Sequence, residues 1–260
     1  MSSQDRTLTS QNRHLLRDVI LVLALVLIIL TGAYFRLTGV NWDASHHLHP
    51  DERFLSMVLS SISPVQSLED YFNTELSSLN PANRGYGFFV YGTLPIFVIR
   101  YLGEWTGQIG YDRITILGRY VSAIFDVITI LIVFFIGKRF RSKGTGLIAA
   151  CLYALAVLPI QLSHFLTVDT FTNTLGMLTI LIGVGILNKH QQTTHRPVDQ
   201  PEKHSTLKKH LKDSLPYLFF GISLGLATAS KINAVSLSLF LVFIEVVDYF
   251  RYERNERNQG

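Results

Sequence analysis

Residues 19–35 read VILVLALVLIILTGAYF and carry no charged side chain. The stretches 127–137, 144–163, 170–188, 214–230 and 232–244 are also uncharged. A bilayer's hydrocarbon core, about 30 Å thick, takes roughly 20 apolar residues as a helix. A helix closes its backbone hydrogen bonds internally, as lipid requires. Several of these runs reach that length alone or with their flanks. Only 16 % of the 260 residues are charged, against about 25 % in globular proteins. No long polar stretch remains for a large soluble domain. The expected fold is all-α, a polytopic transmembrane helix bundle.

The first run follows Arg6, Arg13 and Arg17, as a secretory signal would. It is long, however, and continues into Tyr34, Phe35 and Arg36 with no small-residue cleavage site. We therefore read it as an uncleaved anchor. The single cysteine, Cys151, lies in an apolar run, so no intrachain disulfide is expected. The net charge of +4 comes from basic residues beside the spans. Those read as topology signals, with no nucleic-acid surface.

Basic residues collect on the cytoplasmic side. They cluster at Arg6–Arg17, at Lys138–Lys143, between Lys189 and Lys212, and at Arg251–Arg257. If all four clusters are cytoplasmic, an even number of crossings separates each from the next. Residues 86–105 are broken by Pro95, Arg100 and glycines, and are read as a juxtamembrane helix in the outer interface. About six spans follow: 18–36, 115–137, 145–163, 168–188, 214–231 and 232–250. The expected organisation is a cytoplasmic N-terminus (1–17), a transmembrane module (18–250) and a cytoplasmic tail (251–260). The module has an outer loop at about 37–114 and a cytoplasmic loop at about 189–213.

The outer loop is long enough to be functional. His49-Pro50-Asp51-Glu52 is a helix start, with proline at the first helical position and acids in the first turn. Phe54, Leu55, Val58, Leu59 and Ile62 recur at helical spacing. They predict an amphipathic helix over about 50–62, lying on the membrane surface.

Ionisable groups at membrane depth are functional candidates. The topology sends Asp51, Glu52, His164, Asp169 and Lys231 to one face. Arg119 and Asp126, two helical turns apart, share a face of the second span. They are also consistent with a structural pair that stitches helices together. A carboxylate can take a proton from an attacking hydroxyl, and a cation can stabilise a leaving phosphate. His46, His47 and His49 lie near Asp51, but their spacing matches no zinc pattern. Solvated loop histidines are preferred; neither a metal nor another cofactor is expected. Gly221, Ser223 and Gly225 are read as small residues for close helix packing.

HPDER (49–53) just beyond an outward first span resembles the GT-C membrane glycosyltransferases, in their protein O-mannosyltransferase and aminoarabinose transferase branch. GRYVSAIFDVITILIVFFIGKRF (118–140) resembles that branch's second span. ALAVLPIQLSHFLTVDTF (154–171) resembles the stretch leading to its second acidic residue. GISLGLATASKINA (221–234) resembles its glycine-rich span ending in lysine. The resemblance runs from the first span to about residue 250.

It implies an inverting transfer from a polyprenyl-phosphate sugar to an acceptor hydroxyl on the extracytoplasmic face of the plasma membrane. Asp51 would be the general base and Glu52 its support. Asp169 would hold a sugar, and Lys231 and Arg119 would meet the donor phosphate. His164, Arg53 and His49 complete the candidate substrate-binding set. Family members usually carry further spans, so the chain is read as a fragment, as a split protein completed by a second chain, or as a degenerate copy. The other partners are the lipid-linked donor, a protein, lipid or glycan acceptor, and the bilayer. A non-catalytic membrane subunit and a transporter component are the competing readings.

Overall fold

The structure is a computed structural model. It describes residues 3–194 and 207–259, with side chains for 15–189 and for most residues between 213 and 253. Residues 195–206 of the expected cytoplasmic loop at about 189–213 lie outside the described residues, as do the side chains of the tail arginines, while its two ends are helical, 189–194 continuing one helix and 207–213 opening the next. Every regular element described is helical.

The helices are α1 (Ser3–Leu37), α2 (Pro50–Ser61), α3 (Leu68–Phe72), α4 (Leu94–Thr106), α5 (Tyr111–Phe140), α6 (Lys143–Ala154), α7 (Val157–Ser163), α8 (Asp169–Thr194), α9 (Leu207–Ser230) and α10 (Ser238–Gln259). Short 3-10 turns occupy Pro81–Arg84 and Ile232–Leu237. Among the described residues, three helical stretches are long and apolar enough to cross a bilayer: Leu15–Leu37, α5 and Asp169–Lys189. The pair α6 and α7, bent by 58°, makes a fourth if its halves count as one span. The apolar helix Ile232–Val247 is shorter than a crossing needs. Length and composition thus account for three or four of the about six expected crossings. Helix α4, with 13 residues, is about 20 Å long, too short to cross.

The outside of the bundle is apolar, as lipid demands. Leu16, Leu23, Leu27 and Leu30 on α1 are each more than 60 % exposed. Helix α5 is the central post, packed by α1, α6 and α8. Its backbone touches that of α6 at one point. A Cβ built on Gly137 would lie 2.9 Å from the Cα of Gly146, so both positions need glycine for this approach. Gly221 and Gly225, expected to mediate close packing, instead have open space where a Cβ would go. Ser223 between them is buried, with its hydroxyl bonded by Thr179 Oγ1 at 2.9 Å. The exposed side of α9 faces outward, so small residues there approach nothing.

Polar groups gather at the bundle's two ends. At one end Lys143 pairs with Asp18 at 2.8 Å and Lys189 with Asp213 at 2.6 Å. Arg139 donates to the Leu181 carbonyl nearby. The other end carries the long loop with α2, α3 and α4.

Helix α2 begins as expected. His49 is its N-cap, with Nδ1 accepting from the Glu52 amide at 3.3 Å, and Pro50 opens the first turn. Its apolar face does not lie on the membrane surface. Leu55, Val58, Leu59 and Ile62 are at most 1 % exposed and form one core with Ile96 and Ile99 of α4 and Ile114 of α5. The amphipathic stripe is covered by protein because α4 folds back over α2. Arg100 of α4 secures this cover by donating to the Leu59 carbonyl at 3.0 Å.

The break between α6 and α7 leaves helix-end carbonyls without intrahelical partners. Arg36, near the end of α1 and fully buried, reaches two carbonyls at the break and one in its own helix. Its guanidinium donates to the carbonyls of Ala154 (2.9 Å), Tyr153 (3.3 Å) and Gly32 (3.1 Å), and to Asp126 Oδ2 at 2.6 Å. The Tyr153 hydroxyl donates to the other Asp126 oxygen, and Asn173 donates to that hydroxyl at 2.6 Å. Irregular backbone at membrane depth survives where protein satisfies it, and a cation suits the negative end of a helix.

Candidate active site

Arg119 and Asp126 share a face of α5 but bind different partners. Arg119 is 1 % exposed. Its Nε and Nη2 donate to the two Glu52 oxygens at 2.8 and 2.6 Å. Nη1 and Nη2 donate to the two Asp43 oxygens at 3.0 and 2.8 Å. Nη1 also reaches the Val40 carbonyl at 3.0 Å. A guanidinium has five N–H donors, and this set engages all of them. The Trp42 ring covers the group, with its centroid 5.6 Å from the guanidinium carbon. No donor remains for a phosphate, so in this structure Arg119 is a clamp inside the protein.

Glu52 is its counterpart. The carboxylate is buried and also accepts from the Leu166 amide at 2.7 Å. It therefore joins α2, α5 and the turn before α8. Asp43, which the sequence did not single out, completes the clamp. The loop around it bends hard to present the carboxylate. Ala44, Ser45 and His47 all have left-handed backbone, with φ of 49°, 63° and 50°. The amides of Ser45 and Leu48 donate to Asp43 at 3.2 and 3.3 Å. Strain of this kind persists only where surrounding contacts over-determine it.

The Arg119 hydrogen bonds hold the Asp43 carboxyl well below the usual range, at about 2 against 3.8. The folded form thus binds this proton more weakly than the unfolded chain does. Its contribution to stability is complete above pH about 4 and is lost as pH falls through about 2, a difference of order 2 kcal/mol. Thermal unfolding followed from pH 5 to pH 2.5 should show this loss, and Asp43→Asn should flatten that part of the profile.

His49 caps α2 and stacks on Phe165, with ring centroids 4.3 Å apart. The ring nitrogens of His164 meet the Ile160 carbonyl at 2.8 Å and the Thr38 carbonyl at 2.9 Å, tying α7 to the end of α1. Both histidines are occupied in shaping the chain. An apolar cavity of about 450 Å³ lies beside them, lined by Trp42, Gln161, His164 and Phe165. His47 pairs with Asp112 at 2.7 Å. Among the described residues no group of three or more His, Cys, Asp or Glu side chains is arranged to hold a metal ion.

Asp51 is different from its neighbour. Its residue is exposed at the first turn of α2, as is Arg53. Asp51 and Asp169 both lie close enough to the Tyr91 phenol to act on it. Asp169 opens α8 and accepts from Lys231 Nζ at 2.7 Å, with the two side chains 38 % and 41 % exposed. Lys231 follows the last residue of α9 and is held there by its amide, which donates to the Ala227 carbonyl at 3.0 Å. Burial, helped by Asp51 and Asp169, pushes the Tyr91 phenol up to about 12. It therefore stays protonated, a donor, at any ordinary pH.

The segment bearing Tyr91 is docked onto α9. The Gly92 amide donates to the Ser230 carbonyl at 3.1 Å. A Cβ on Gly92 would lie 2.1 Å from the Ala229 carbonyl oxygen, so only glycine permits this approach. Of the residues read from the sequence, Asp51, Asp169 and Lys231 thus come together around Tyr91. Glu52 and Arg119 lie beneath in the buried clamp, and His49 and His164 serve the scaffold.

A family model described as dolichyl-phosphate-mannose-protein mannosyltransferase matches residues 108–195. That stretch covers α5 to α8 and contains Arg119, Asp126, His164 and Asp169. It bears out the GT-C resemblance there and supports a membrane glycosyltransferase of that type. No curated protein and no solved structure matches the chain.

Proposed function

We propose that the chain is a GT-C membrane glycosyltransferase that moves a sugar from a polyprenyl-phosphate carrier to an acceptor hydroxyl, with inversion. The observation that carries this reading is the convergence of exposed Asp51 and the half-exposed Lys231–Asp169 pair around Tyr91. The family match over α5 to α8 supplies the reaction class.

In the reaction, the acceptor hydroxyl gives its proton to Asp51 as its oxygen attacks the anomeric carbon. The bond from that carbon to the phosphate oxygen breaks, and its electron pair leaves with the carrier phosphate. Lys231 faces the charge developing there, and Asp169 keeps the ammonium in place. The Asp43–Arg119–Glu52 clamp fixes the α2 turn that presents Asp51. This end of the bundle faces away from the cytoplasm at the plasma membrane, and the basic end faces inward.

Membranes containing the chain, incubated with labelled polyprenyl-phosphate mannose, test the reading. Asp51→Asn should lower transfer at least about 100-fold while membrane insertion stays unchanged. An Asn variant as active as the parent would exclude Asp51 as the base.

A further inference from the structure

We propose that a cavity of about 340 Å³ in the outer loop docks the acceptor, and that it takes an apolar side chain of a polypeptide with lysine or arginine beside it. The inference rests on the glycosyltransferase reading and names the acceptor that this end of the bundle selects. The cavity lies between α3, the turn at Pro81–Arg84 and the start of α4, with Tyr71, Phe72, Leu79 and Phe97 in its walls. Its size and apolar lining are those of a binding pocket. Tyr71 and Phe72 are 43 % and 74 % exposed, so no other element covers them. Ser77 also lines the cavity. It is only 4 % exposed, and its hydroxyl has no partner among the described residues. A buried hydroxyl left unpaired is costly. A peptide backbone can pair with it; a hydrocarbon chain cannot.

Charge decides which peptide. Between Arg53 and Arg84 the chain carries Glu69, Asp70 and Glu75 and neither lysine nor arginine. All three acids are exposed, and none forms an ion pair among the described residues. Arg84 donates to the Ser63 hydroxyl at 3.5 Å. Unpaired acids beside an apolar cavity attract a cation-bearing partner and repel anionic lipid headgroups. The cavity also adjoins the candidate active site. Thr93 lines it, and the preceding Gly92 donates to the Ser230 carbonyl, next to Lys231. An extended peptide advances about 3.3–3.6 Å per residue. A side chain anchored in the cavity thus leaves a hydroxyl a few residues along the peptide within reach of the Lys231 end of the site.

The test measures binding of two labelled peptides to the full chain in phosphatidylcholine nanodiscs by fluorescence anisotropy. One peptide alternates lysine with phenylalanine and threonine; the other has glutamate in place of lysine. The parent should bind the lysine peptide at least about 10-fold more tightly, the sum of about three exposed charge contacts. The triple variant Glu69→Lys, Asp70→Lys, Glu75→Lys should reverse that preference. Ser77→Ala should weaken both peptides about threefold or more, the scale of one hydrogen bond. The three acids are exposed, so the fold tolerates their replacement, and a thermal melt of each variant checks this. Equal binding of both peptides by the parent, binding of neither because lipid fills the cavity, or a preference unchanged in the triple variant overturns the inference and leaves the transfer reaction standing. Binding of the lysine peptide with no sugar transfer from labelled polyprenyl-phosphate mannose to any acceptor overturns the transfer reaction, and with it the role of the bound peptide as acceptor.

Discussion

Arg119→Ala should cost about 3–5 kcal/mol of stability, the range for removing one partner of a buried ion pair. Two carboxylates that are fully buried, Asp43 and Glu52, lose all four of their guanidinium hydrogen bonds at once. Nothing else nearby replaces them, and burial prevents water from doing so. Lysine should recover little. Its ammonium is a compact charge with three donors and cannot face two carboxylates in fork geometry. The contrast is the triple variant Arg119→Met, Asp43→Asn, Glu52→Gln, which removes the charges together. It should be markedly more stable than Arg119→Ala, because the main cost is an uncompensated buried charge. Thermal unfolding in detergent or nanodiscs measures all three. An Arg119→Ala midpoint equal to the parent's would mean that the clamp contributes nothing.

Arg36→Met should be destabilising by a similar amount, and its partial rescue separates two causes. The single variant leaves Asp126 charged, held only by the Tyr153 hydroxyl, and strips donors from the Tyr153 and Ala154 carbonyls at the α6–α7 break. Replacing Asp126 as well, in Arg36→Met with Asp126→Leu, removes the unpaired charge. It does not restore a donor to the Ala154 carbonyl, which costs about 1–3 kcal/mol when buried and unsatisfied; the Tyr153 carbonyl keeps the Ala156 amide at 3.2 Å. The double variant should therefore recover part of the loss and stop short of the parent. Full recovery would show that the guanidinium serves Asp126 alone and that the break needs no cap. Melting midpoints of the two variants and the parent decide between these outcomes.

These two arginines mark the limit of what the sequence discloses. Both sit near apolar runs and invite a role in topology or in substrate binding. Their partners are 67 to 118 residues away for the principal contacts, and no local pattern announces such pairs. Asp126 was legible as a costly group within a span, and stitching of helices was a correct expectation. The partner was not: Arg119, two turns away, faces Asp43 and Glu52, while Arg36 from another helix takes Asp126. Asp43 and Tyr91 carried no periodic or motif signal at all. The closest hint of Tyr91 is the glycine beside it, and that glycine matters only once α9 is known to pass within contact.

What the chain determined locally is the helical character of its apolar runs and the start of α2. Lipid allows few other backbone states, and the His49-Pro50-Asp51-Glu52 order satisfies a helix terminus from within. The surroundings of each helix face were decided in three dimensions. The stripe of α2 is apolar whether lipid or α4 covers it, and Gly221 is small whether or not another helix approaches. Burial and pairing depend on which elements become neighbours, and only packing around α5 makes neighbours of Glu52, Arg119 and Leu166, or of Asp51, Tyr91 and Lys231.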